Sequence, residues 1–358
     1  MFRIIDRYLL SRFLKTLLLA IIAFIGIFII VNLVEKIDVF IDKDTSLKVI
    51  ILYYLYWLPY YLNFALPIAM LLAVLFTISQ FVKHGELTAL KSAGISLYRI
   101  SLPIIVFGIF IYGFALWFGE RVVPKNFRNQ AELYREKIKK VPNIAAGKNN
   151  ITFQEKNNRI VTIGQYDSKQ HIGSWIIIQK KKGNHIESII SAQSIIPDKK
   201  QWILLNGKIR DFSSGEEVIT RFDERRVTDF TITEDDLISV QIAPDEMNAQ
   251  ELKKYITKLR QIGSPFERWE VEYYWKFAFP FANLIVILLG LPLAVYNWRG
   301  GPVMSFGICI FICFIYWAII LYMLTLGDNK ILPPIFAAWF SNIVFGMFGI
   351  FGLMKART

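Results

Sequence analysis

Three long apolar runs, at about residues 16–34, 63–81 and 102–118, precede a polar stretch, and three more follow it at about 277–296, 303–324 and 331–354. Each is close to the ~20 residues that a helix needs to cross the hydrocarbon core of a bilayer. The pattern therefore predicts six transmembrane helices in a three-plus-three arrangement. Residues 120–272, between the two halves, are charged and follow a different period. From Ile151 the runs are short and alternate: ITFQ, RIVTIGQY, SWIIIQK, ESIISAQSIIP, QWILLNGKIRDF and VITRFDERRVTDFTI, separated by turn residues. Alternation at period two predicts antiparallel strands in a sandwich or roll. A stretch of this length is a domain, because structureless connections beyond ~12–15 residues are uncommon. The expected boundaries are 1–119, 120–272 and 273–358.

Finer features sit on this frame. Residues 48–82 are apolar for longer than one crossing requires, and YYLYWLPYYL has the Tyr/Trp content of a membrane interface. An interfacial helix is expected there, followed by the second span, which Pro59 and Pro67 would kink. KHGELTALKSAGISLYRI forms a short amphipathic element, a helix at about 84–97, between the second and third spans. Residues 122–140 have helical spacing and would extend the third span. Residues 248–263 return to helical period and lead back to the membrane.

Charge orients the frame. Of the formal net charge of +12, residues 120–272 contribute only +4, from 26 Lys/Arg against 22 Asp/Glu. The rest lies in short segments beside apolar runs, a topology signal and not a nucleic-acid footprint. The segments around Arg3, Arg7, Arg12 and Lys15, around Lys83, Lys91 and Arg99, at Arg299, and at Lys355 and Arg357 carry ten basic residues against Asp6 and Glu86. The positive-inside rule then places both termini in the cytoplasm and the large domain outside it. The first apolar run is too long for a signal-peptide core, so it reads as an uncleaved span.

Enzyme chemistry finds little material. Cys309 and Cys313 are spaced i, i+4 in an apolar run and read as buried thiols. His84, His171 and His185 are scattered, so no metal site or cofactor is expected. No HExxH and no GxxxxGK[ST] occurs, so the chain has no nucleotide-binding loop of its own. Asp235, Asp236, Asp245 and Glu246 read as turn residues rather than acid/base pairs, and no catalytic residue is expected. Interior ionisable residues are almost absent from the spans, which disfavours ion-coupled transport.

Two candidate sites remain. Glu86, Leu87, Leu90, Lys91 and Gly94 lie on the short cytoplasmic element. It either rests on the headgroups with Glu86 solvated, or docks its apolar side into a groove of a cytoplasmic partner, with Glu86 meeting a basic residue at the rim. Gly94 would end the helix. The second is a basic set near the outer surface: Lys36, Lys43, Lys48, Arg121, Lys125, Arg128, Arg135 and Lys276. Interfacial anchoring explains most such residues, but Lys276, in WKFAFP at the mouth of the fourth span, suits an anionic lipid headgroup.

Four stretches together resemble one family, the lipopolysaccharide-export permeases of the LptF/LptG (YjgP/YjgQ) type. They are IDRYLLSRFLKT, LPIAMLLAVLFTISQFVKHGELTALKSAGIS, VEYYWKFAFPFANLIVILLGLPLA and LPPIFAAWFSNIVFGMFG. With the layout, the resemblance covers essentially the whole chain. The opening DRYL and the helical approach at 248–272 lean toward LptG. The resemblance implies an α-helical membrane protein of six transmembrane helices with an inserted periplasmic β-jelly-roll-like domain, in the inner membrane of a Gram-negative bacterium. It implies a non-catalytic permease subunit of an ATP-driven ABC transporter, moving lipopolysaccharide from the outer leaflet of that membrane through its periplasmic domain toward the outer membrane. The implied partners are an LptF-like permease, a dimeric LptB-like ATPase, and periplasmic LptC/LptA-like jelly-roll proteins. The element at Glu86 matches the family's coupling helix, and the first and fifth spans would form lateral gates. Basic residues at the outer end of the family's first span contact glycolipid phosphates; here Asn32, Glu35 and Lys36 occupy that region with one cation. The alternatives are a membrane-anchored periplasmic scaffold or signalling protein, and a permease of the same architecture for another lipid or lipoprotein.

Overall fold

The structure, a computed structural model, describes residues 4–139, 151–155, 159–167, 170–182, 185–198, 201–213, 217–227, 243–261, 265–296 and 301–355. In chain order the helices are α1 (Ile4–Asp42), α2 (Leu47–Lys83), α3 (Glu86–Ser92), α4 (Leu97–Arg121) and α5 (Val123–Leu133), which passes into a π-helical turn at Tyr134–Ile138. Strands β1 (Ile151–Glu155), β2 (Arg159–Asp167), β3 (Ile172–Lys182), β4 (His185–Asp198), β5 (Gln201–Asp211) and β6 (Val218–Val227) follow. Then come α6 (Ala249–Gln261), α7 (Glu267–Tyr296), α8 (Gly301–Asp328) and α9 (Pro334–Lys355). Among the described residues, six helical segments are long and apolar enough to cross a membrane: α1, α2, α4 continued through α5, α7, α8 and α9.

The chain forms two compact units. In the helical unit, α2 and α7 are the interior members, with 72% of their most apolar stretches buried, whereas α1 and α8 have 11% and 17%. Leu71, Val74 and Ile78 of α2, Ile104 of α4 and Ile287 and Leu291 of α7 belong to one core with Leu9 and Phe13 of α1. Small residues bring backbones together. A Cβ on Gly349 of α9 would lie 2.9 Å from the Leu288 backbone of α7, and one on Gly352 would lie 2.9 Å from Pro292. Such close approach, rather than hydrophobic transfer, drives helix association in lipid. Two polar side chains link three of the helices: Tyr316 Oη donates to Asn342 Oδ1 at 2.6 Å, and Asn342 Nδ2 donates to the Ala278 carbonyl at 2.7 Å.

Three expectations need adjustment. The interfacial helix and the second span are one unbroken helix, α2, with Pro59 and Pro67 inside it. Each proline forfeits one backbone bond, and buried neighbours keep the helix continuous. The first span is much longer than the apolar run, because α1 continues through charged residues at both ends. The sixth begins at Pro334 and not at Ile331, which belongs to the preceding turn. Proline suits a first helical position, where its missing N–H has no intrahelical acceptor.

In the second unit, β1 to β6 form one antiparallel sheet in sequence order. Val161, Ile163, Tyr166, Ile176, Ile178, Ala192, Ile195, Trp202 and Leu204 make its core. The register shifts between Lys180 and Lys181, and the inward alternation also slips at mid-sheet. The ladder runs Ile163–Ile176–Ala192–Gly207–Phe222 across five strands and resumes at Gln165–Ser174–Ser194–Leu205–Glu224. Gly164, Trp175, Gln193, Asn206 and Asp223 fall between the two rows, forming a transverse crease. Trp175 and Asn206 have φ of +57° and +51° there, and a Cβ on Gly164 would meet Trp175 Cβ at 2.8 Å. Inward residues on β2, β3 and β4 are consequently three apart at this point, not two: 163 to 166, 173 to 176, 192 to 195. Asp235 and Asp236 lie outside the described residues.

The helix expected at 248–263 is α6, closed by a reciprocal cap. Glu251 N–H donates to Asn248 Oδ1 at 2.9 Å and Asn248 N–H donates to Glu251 Oε2 at 3.0 Å.

Candidate functional site

The short helix α3 is set between two glycines in left-handed conformation, Gly85 at φ +74° and Gly94 at φ +79°. Gly94 N–H donates to the Lys91 carbonyl at 2.9 Å and Ile95 N–H donates to the Leu90 carbonyl at 3.0 Å. This paired closure is a Schellman motif, which requires the left-handed residue that glycine supplies. Gly94 ends the helix, as its sequence context implies. At the other end Gly85 turns the chain out of α2, and its carbonyl accepts from Ala89 N–H at 2.9 Å.

The apolar face of α3 is turned inward. Leu87 is 3% exposed, and Leu90 and Ile95 pack against the same core as α1, α2, α4 and α7. The expectation that this face enters a partner's groove is therefore corrected: the helix is too short to stand alone and uses its leucines to hold itself to its own chain. Thr88, Ala89, Ser92 and Ala93 form the exposed side, with Glu86 and Lys91 half-buried at its edges.

Glu86 is gripped from α1. Arg12 Nη1 lies 3.3 Å from Glu86 Oε1, and Tyr8 Oη donates to the same oxygen at 3.4 Å. The Arg12 guanidinium also lies 4.5 Å from the Tyr8 ring centroid and 5.6 Å from that of Phe81. A second pair lies beside it: Arg99 donates to both oxygens of Asp6, at 3.0 and 2.8 Å, and Asp6 is buried. The start of α1 is thus clamped to α3 and to the start of α4. Tyr8 and Asp6 were not legible as site residues in the sequence, and Arg12 and Arg99 read only as topology signals. Their partners are 74 to 93 residues away, and no local spacing connects them.

The basic set is not gathered into one place. Lys36 is half-buried, donates to Tyr53 Oη at 2.5 Å and lies 5.1 Å from that ring's centroid. Arg121 and Lys125 are exposed, and Arg128 is half-buried. Lys276 sits nine residues into α7, because that helix begins at Glu267, well before the apolar run. These belong to the helical unit. Lys43, Lys48 and Arg135 belong to the second, where Arg135 pairs with buried Glu246 at 3.7 Å and Lys43 and Lys48 are exposed. Cys309 and Cys313 are free thiols, and no cluster of metal-ligating side chains occurs among the described residues.

The family model for the lipopolysaccharide export system permease LptF/LptG matches residues 7–355. The chain belongs to the LptF/LptG family. Among individual relatives, an uncharacterized protein of Aquifex aeolicus is 26% identical over 98% of this chain and 99% of its own length. The LptF permease of Escherichia coli K12 is 23% identical, covering 96% of this chain and 92% of that protein. The LptG permease of Haemophilus influenzae is 22% identical, covering 96% of each. Similarity to LptF and to LptG is thus nearly equal. Six apolar helices in an LptF/LptG chain describe a multi-pass inner-membrane component of a lipopolysaccharide transporter.

Proposed function

We propose that this LptF/LptG chain is one of two related permease subunits that an ATPase dimer drives to lift lipopolysaccharide out of the outer leaflet of the inner membrane. In this reading both termini and α3 are cytoplasmic, and the β-domain is periplasmic. The partner permease meets α1 and α8, the ATPase meets the exposed side of α3, and periplasmic jelly-roll proteins receive the glycolipid. The observation that carries the reading is the clamp. A displacement of α3 is passed through Arg12–Glu86, and of α4 through Arg99–Asp6, to the start of α1. α1 and α8 are the spans least covered by their own chain, as gate helices facing a partner or lipid would be.

Coupling to ATP is required on energetic grounds. Each acyl CH₂ taken out of lipid costs about 0.8 kcal/mol. The apolar sheet face, bounded by Val161, Ile176 and Leu204, offers replacement contacts. The basic residues Lys36, Lys43, Lys48, Arg121, Arg128, Arg135 and Lys276 are proposed to meet headgroup phosphates. Lys36 would do so by exchanging its Tyr53 hydrogen bond, and Arg135 by exchanging Glu246.

Native mass spectrometry of the gently extracted protein tests this. A complex with a second six-span permease, an ATPase dimer and a phosphorylated glycolipid is expected. Glu86→Lys should remove the ATPase and leave membrane insertion intact. A lone, lipid-free chain would favour a scaffold, and a different bound lipid would change the cargo.

A further inference from the structure

The crease in the sheet creates a groove of about 600 Å³ on the face opposite the apolar core. Its rim side chains include Trp175, Gln193, Asn206, Lys208, Arg221 and one carboxylate, Asp223. The groove is on the outer face because Trp175 and Ile177 are 73% and 41% exposed, while Ile176 between them is buried. A volume in the range of about 300–1,000 Å³ is that of a small-molecule site.

Three features of the groove point to one ligand chemistry. Lys208 and Arg221 are direct cross-strand partners, and both are exposed. Neither forms a salt bridge among the described residues. Like charges directly opposite on neighbouring strands are destabilising; Asp223 in the same lining offsets one of them, and the remaining positive charge is what a bound anion would answer. Next to them, Gln193 and Asn206 supply neutral amide donors and acceptors in the crease itself. Above the crease stands Trp175, whose left-handed backbone is an outlier for a bulky residue. Strain of this kind persists where surrounding structure enforces it and clusters at binding sites. An exposed indole, amides and a pair of adjacent cations together match a ring with hydroxyls and a phosphate.

We infer that this outer groove binds a phosphorylated sugar, with the indole of Trp175 covering the ring and Lys208 and Arg221 holding the phosphate. Only the origin of that sugar, the headgroup of the exported glycolipid, rests on the function proposed above. The site is separate from the apolar face that would cover acyl chains, so one domain would hold the two ends of an amphiphile on its two faces.

The test is calorimetric titration of the full chain in nanodiscs of phospholipid alone. The probes are a bisphosphorylated glucosamine disaccharide, the same disaccharide without phosphates, and inorganic phosphate. The phosphorylated disaccharide should bind, the dephosphorylated form about tenfold or more weakly, and Arg221→Gln should weaken binding by a similar factor. Trp175→Gly should also weaken binding while raising the melting temperature, because glycine relieves the left-handed strain. Affinity unchanged in both variants would overturn the site, as would a Trp175→Gly protein that melts lower and binds normally. Inorganic phosphate binding as tightly as the disaccharide would overturn the sugar assignment. Cargo carried by the protein extracted from its own membrane separates the two proposals. Disaccharide binding without glycolipid would keep the groove and remove the export reading; glycolipid without disaccharide binding would do the reverse.

Discussion

Arg12 Nη1 stands 3.3 Å from Glu86 Oε1, so the only carboxylate of the short helix α3 is held by a residue two helices earlier. The arrangement makes Glu86 a shared group. In the proposed function it would answer both the first span and an incoming basic residue, and a displacement of α3 would be felt at the start of α1.

Exchanging the charges separates these two tasks. In Arg12→Glu with Glu86→Arg the internal pair is rebuilt with reversed polarity. Both side chains are about one-third exposed, so the single changes should cost only about 0.2–1 kcal/mol each, and the double variant should regain most of that. ATPase association should nevertheless remain lost in the double variant, because position 86 is then cationic. Thermal unfolding in detergent together with co-purification measures both. Restored association would show that Glu86 acts only by holding α1.

The neighbouring pair should matter more for stability. Asp6 is 5% exposed and takes both Arg99 bonds. Asp6→Asn removes the charge and one good acceptor beside a guanidinium that keeps partial access to water. A loss of about 1–2 kcal/mol is expected. An unaltered melting temperature would leave the clamp with Arg12–Glu86 alone.

Glycines of α1 and α9 should respond oppositely to one added methyl. Gly349→Ala places a carbon 2.9 Å from the Leu288 backbone and should destabilise by about 1–3 kcal/mol. Gly26→Ala in α1 meets nothing within 4 Å and should be neutral or stabilising by up to about 1 kcal/mol. Differential scanning of the two variants side by side checks the packing of α9 on α7.

In the β-domain, Arg210 pairs with Glu217 across the β5–β6 turn and holds its carboxyl below the ordinary value of 4.5. The folded-state pKa lies below the unfolded one. The pair therefore contributes fully above about pH 4.5, and its contribution fades as pH falls through the depressed folded value. Carboxyl-carbon NMR should show Glu217 titrating low and returning toward 4.5 in Arg210→Gln. An unchanged Glu217 titration would remove the pair from the acid response.

Much of this protein was legible one residue at a time. The bilayer demands runs of about 20 apolar residues and a sheet demands alternation, so six spans, the inserted strand domain and the Gly94 helix stop are local consequences of composition and period. Within the described residues the strand runs read from Ile151 onward match β1 to β6, and residues 228–232 of the last run lie outside them. The long charged ends of α1 were not legible, because apolar length measures the membrane and not the helix. The partner of Lys36 was not legible either: charge marks a segment as interfacial, but that Lys36 reaches Tyr53 depends on the neighbouring helix.

What only the tertiary structure decided is which distant groups meet. Glu86 with Arg12, Asp6 with Arg99, and the crease that aligns Trp175 with Lys208 and Arg221 each depend on how helices pack or strands register. Packing and register are long-range conditions. A sequence states the hydrophobic period of each element by itself, but the partner of a charged side chain is chosen by the elements that burial brings beside it.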